Sequence, residues 1–160
     1  MFAASGCMKN APPAQPPACC AAPGYSRAQV ESVVGRPAPP EASKFNPYPS
    51  PPPDGQIYPT EHGYLTVTYA SAEGLATHLT LDYYEGKPPD EAFKDAATFL
   101  PPDARDTGTR VTGKRESIRV FQSAGLERQL PASRGLIYLE CVGTDPSVMC
   151  LTVEFALGSP

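Results

Sequence analysis

The sequence predicts an α+β domain: an antiparallel sheet of about five strands with two helices packed on one face. Two observations predict it. Residues 63–84 and 134–157 each read as a pair of apolar strands joined by a polar turn. Residues 25–37 and 90–100 instead carry their apolar side chains at helical spacing, between start and stop signals. A chain of 160 residues suffices for one domain and a tail. Its 21 prolines fall mostly before residue 60, so a packed core is chiefly a matter for residues 61–160. The organisation that follows is a tether at 1–24 and one α+β domain at 25–160, with a proline-rich insertion at 38–60.

Taken in order, residues 8–24 (MKNAPPAQPPACCAAPG) are rich in proline and alanine and nearly uncharged. Such a segment buries too little apolar surface to offset its ordering entropy, so it is expected to be a disordered spacer. Tyr25 to Pro37 is the best-marked helix. Ser26 and Gln29 form a capping box, and Tyr25 and Val30 occupy the staple positions. Val30, Val33 and Val34 make a narrow apolar stripe. Gly35 closes the helix and Pro37 prevents it continuing. Residues 38–60 are expected to lie extended over the domain with Phe45, Tyr48, Ile57 and Tyr58 tucked down.

In the first hairpin Leu65, Val67 and Tyr69 alternate with Tyr64, Thr66 and Thr68, and after a turn at 71–74 Leu79, Leu81 and Tyr83 alternate with His78, Thr80 and Asp82. Asp90 opens a second helix that puts Phe93, Ala96, Ala97 and Leu100 on one side and ends at Pro101-Pro102. A polar loop follows, then a strand at 117–122 with Ile118 and Val120 inward, then a helical turn at 123–130 capped by Ser123. The order reads coarsely as tandem α-β-β units, the second with an extra strand.

The last hairpin carries the clearest physical inference. Placing Cys141 opposite Cys150 brings directly paired residues within disulfide range. It also sets Tyr138 against Val153, Leu136 against Phe155 and Glu140 against Leu151. The alternative is two unrelated buried thiols. A bridge would point to an oxidising compartment.

Signals for catalysis are sparse. Neither GxGxxG, a P-loop nor a GxSxG elbow occurs. The two histidines, His62 and His78, lack the paired spacing of a metal site, and both read as solvent-facing. Asp90, Glu91 and Asp95 sit at a helix start, where carboxylates belong in any case. Glu140 stands out as an acid inside an apolar strand. The expectation is no catalytic residue, no metal, no cofactor and no small-molecule substrate. A net charge of −4 argues against nucleic acid as a partner. The bases Arg105, Arg110, Lys114, Arg115 and Arg119 bunch together, and Arg115 and Arg119 are candidate partner-binding residues alongside Tyr64 and Tyr84.

Two resemblances complete the reading. Ala4-Ser5-Gly6-Cys7 resembles the lipobox of a bacterial lipoprotein, in which the cysteine, here Cys7, takes the lipid; the basic and apolar stretches of a leader do not precede it. The capped helix with Val30, Val34, Gly35 and Pro37, followed by a linker and an aromatic hairpin, resembles the SmpA/OmlA family of small outer-membrane lipoproteins, of whose helix–hairpin unit the β-lactamase inhibitory protein fold is a doubled relative. The sequence departs from that family in having one helix before the first hairpin and a long proline-rich insertion. The resemblance implies a non-catalytic, lipid-anchored module that binds other envelope proteins and touches the membrane through its anchor only. The alternative is a secreted inhibitor of a hydrolase that uses a sheet face with Tyr64, Tyr69, Tyr83 and Tyr84 as candidates, Tyr69 and Tyr83 fitting the core equally well. An enzyme would need a pocket gathering Glu140, His78 and an arginine.

Overall fold

The computed structural model describes residues 23–38, 49, 51–71, 74–112, 117–145 and 149–158. The chain runs α1 (Arg27–Val34), β1 (Gly55–Thr60), β2 (Gly63–Tyr69), β3 (Ala76–Lys87), α2 (Pro89–Ala97), β4 (Arg105–Thr112), β5 (Ser117–Gln122), α3 (Ala124–Gln129), a 3₁₀ turn (Pro131–Ser133), β6 (Leu136–Val142) and β7 (Cys150–Leu157). All seven strands join one antiparallel sheet in the order β1-β2-β3-β7-β6-β5-β4.

This corrects the expected five strands and two helices, and with them the tandem α-β-β scheme. The two additional strands are the two edges. β1 lies inside the stretch read as a proline-rich insertion; its Pro59 is tolerated because an edge strand need not donate on both sides. β4, RDTGTRVT, lies in the stretch read as a polar loop. Its charge and its kink are what an edge requires to discourage pairing with other chains. The kink falls where its register with β5 shifts between Asp106 and Arg110. There Gly108 adopts φ 79° and its amide donates to Asp106 Oδ1 at 2.8 Å, while the Arg110 guanidinium grips the same carboxylate through both terminal nitrogens. The Arg110 hydrogen bonds, then that of Gly108, hold the Asp106 carboxyl at about 2.

One face of the sheet carries the core. A register row across it reads Gln56, Val67, Leu79, Phe155, Leu139, Arg119, Arg110, and the next reads Tyr58, Leu65, Leu81, Val153, Cys141. Tyr25, Val30, Ala92, Phe93, Ala96, Leu100 and Leu126 belong to the same buried cluster as these strand residues, so the three helices share that face. Ile118 and Val120 are buried as expected, but register puts them on the opposite face, opposite Glu140 and Tyr138.

Each helix is fixed by local chemistry and one or two long-range contacts. In α1 the Ser26 hydroxyl accepts from the Gln29 amide at 3.3 Å and the Gln29 side chain accepts from the Ser26 amide at 2.9 Å. Val30 is fully buried and Val34 partly, while Val33 faces solvent. Below α1 the Tyr58 and Tyr69 hydroxyls meet at 2.9 Å, and Arg27 lies 5.0 Å above the Tyr69 ring. Burial pushes both phenols up, as expected of hydroxyls held in a dry cluster. Helix α2 buries Ala92, Phe93 and Ala96 and is held by two ion pairs, Lys87 with Asp95 and Arg119 with Asp90.

α3 confirms the expected turn at 123–130: Ser123 Oγ accepts from the Leu126 amide at 3.0 Å. Asp103 reinforces this cap, accepting from Ser123 Oγ at 2.6 Å and from the Gly125 amide at 2.7 Å. Desolvation raises the Asp103 carboxyl, but these bonds, its own backbone amide and nearby Arg128 outweigh it, and the group ends below its ordinary value. The sign follows: a carboxyl depressed on folding adds stability that is complete above its unfolded pKa of about 3.9 and is lost as pH falls through the lower native value. Asp103→Asn should therefore be less stable than the parent at neutral pH, and the gap in urea midpoint should close in acid. A gap that stays constant down to strongly acidic pH would remove Asp103 from this role.

The last hairpin corrects the expected register. Leu139 pairs with Phe155, Glu140 with Glu154 and Cys141 with Val153. Relative to the sequence expectation the strands are offset by an odd number of residues, which exchanges the faces. Ile137, Leu139 and Cys141 thus join the core, and Leu136 and Tyr138 turn away from it. The sequence misleads here because alternation breaks in β7: Cys150 and Val153 are both fully buried three positions apart, and Leu151 is exposed. The disulfide itself forms, joining Cys141 to Cys150 with Cα atoms 5.5 Å apart, although the two are not directly opposed.

Candidate functional site

The sheet face away from the helices is the candidate site. Among the described residues no helix lies on it. Its central register row reads Ile57, Thr66, Thr80, Glu154, Glu140, Ile118, Val111, and the neighbouring row Pro59, Tyr64, Asp82, Thr152, Val142. Apolar residues therefore hold the edges, and threonines and carboxylates hold the middle. Three acids come together there. Glu154 pairs directly with Glu140, and Asp82 sits one strand over beside Thr152. Asp82 accepts from Thr152 Oγ1 at 2.6 Å and from Thr80 Oγ1 at 3.2 Å, which orients its carboxylate. Glu140 and Glu154 are both half-buried.

Aromatic and aliphatic side chains flank these acids. Tyr64 and Tyr84 meet with ring centroids 6.2 Å apart at an interplanar angle of 56°. Burial, then the Asp82 carboxylate, raises the Tyr64 hydroxyl. Tyr84 is 52% exposed, Leu151 42%, Met149 41% and Val142 38%. Leu151 and Met149 stand where the β3–β7 register shifts, between Asp82 and Lys87. Gly86 takes φ +72° there, and a Cβ on it would stand 2.9 Å from Met149 Cγ and Sδ and 3.1 Å from Leu151 Cδ2. Val142 pairs with Thr152, next to Leu151.

Of the sequence candidates, Tyr64 and Tyr84 are brought together on this face. Arg119 is not: it lies under α2, with its guanidinium 4.5 Å above the Phe93 ring and paired with Asp90. Tyr69 and Tyr83, for which the sequence left face and core open, are core, and Tyr83 donates its hydroxyl to the Ala92 carbonyl at 3.2 Å. His62 and His78 are exposed. Cys7, Phe45, Tyr48, Lys114 and Arg115 lie outside the described residues. Among the described residues no group of three or more His, Cys, Asp or Glu could hold a metal ion, and no helix is long and apolar enough to cross a membrane. A groove of about 210 Å³ between the β1–β2 turn and α2 is lined by Glu61, His62, Tyr83, Asp95 and Phe99, and by neither Glu140 nor His78.

The chain matches no family model, no curated protein and no solved structure. The likeness to the SmpA/OmlA lipoproteins accordingly rests on the Tyr25–Pro37 motif.

Sequence reasoning singled out Glu140 but missed its neighbours. Their meeting depends on β3 pairing with β7 some seventy residues later, where Thr152 donates to Asp82. The available signal was a single acid at a polar-face position in each of three apolar strands.

Proposed function

We propose that this chain is a non-catalytic protein-binding module working outside the cytoplasm, a lipid-anchored accessory subunit of a cell-envelope complex, and that it binds through the sheet face away from the helices. The observation that carries this reading is the pairing of Tyr64 with the exposed Tyr84 on that face, which also carries the exposed Val142 in the register row of Tyr64. Exposed aromatics in a group of this kind mark interaction surfaces, because they bury much area at little cost in side-chain entropy. The Cys141–Cys150 bridge supports an oxidising compartment. The lipobox-like Cys7 supports the anchor. A secreted hydrolase inhibitor is the second reading, favoured by the same tyrosine pair.

Affinity purification from native membranes tests the binding reading. Tyr84→Ala should lower recovery of the partner about thirtyfold, the effect of losing roughly 2 kcal/mol at an interface hot spot. Unchanged recovery with the Tyr64→Ala, Tyr84→Ala double variant would move the site off this face. Mass spectrometry of the same material tests the anchor: an unmodified Cys7 with its upstream residues intact would remove it. Inhibition of a purified hydrolase at micromolar protein would favour the second reading.

A further inference from the structure

We draw no further inference here: the strongest candidate, the exposed apolar patch of Met149 and Leu151 against Gly86 where the β3–β7 register shifts, carries none, because nothing in the structure shows what covers it.

Discussion

Phe155→Ala is expected to lower the unfolding free energy by about 3–5 kcal/mol, the usual cost of removing a fully buried aromatic ring. Phe155 sits on β7, the middle strand of the seven, directly between Leu79 of β3 and Leu139 of β6. All three are fully buried and belong to the cluster that includes Phe93 of α2. Neighbours from two strands and a helix cannot all move in to fill the space, so a cavity term adds to the lost transfer energy. Urea unfolding followed by far-UV circular dichroism measures the effect; the chain has no tryptophan to report by fluorescence. The slope with urea should be unchanged. A loss below about 1 kcal/mol would mean that the ring lies outside the core. Phe155→Leu serves where the alanine variant fails to fold, with a smaller cost of about 1 kcal/mol.

Opening the Cys141–Cys150 bridge is expected to cost about 2.5 kcal/mol. The two cysteines are separated by 9 positions, and closing a loop of that length removes roughly that much entropy from the unfolded chain. Both are fully buried, so Cys141→Ala with Cys150→Ala adds a cavity cost to the loss of the bridge, and the parent in reductant isolates the bridge itself. The comparison is the urea midpoint of the oxidised protein against the double variant, and against the parent in reductant. Coincident midpoints would show that the bridge is absent or idle. The same experiment bears on location. A bridge of this worth, made in the cytoplasm, would be held reduced, and the protein would lose its contribution.

What the sequence revealed, and what it hid, follows from the range of the interactions involved. The Ser26–Gln29 box, the Ser123 cap and the buried side of α2 are set by residues within one or two helical turns of each other, and all are as the sequence implied. Strands β2, β3, β5, β6 and β7 bury enough apolar surface to show a pattern. β1 and β4 do not, because they are edges, and an edge remains harmless by being proline-containing, charged or kinked. The features that protect them also remove the alternation by which strands are recognised. The register of the last hairpin was lost for a different reason. Leu151 continues the apparent pattern of Val153 and Phe155, but it stands exposed where the register of β3 with β7 shifts. The acid cluster was hidden because it is made by pairing strands distant in the chain, and no local pattern encodes which acid will face which.

The strand order has a consequence for how the protein is made. β7, the last strand in chain order, occupies the centre of the sheet and joins β1-β2-β3 to β6-β5-β4. Until it is inserted, β3 and β6 are unpaired on the sides that will meet it, and Leu79, Leu81 and Leu139 lack the neighbours that bury them. Pairings of such long sequence separation form slowly, because the chain must lose loop entropy before it gains contact. Completion of the fold therefore waits for synthesis to reach residues 150–157. Under the extracytoplasmic role we propose, that delay would keep the chain open enough to be threaded through a translocation channel, and β7 would close the sheet on the far side, where Cys150 can be oxidised.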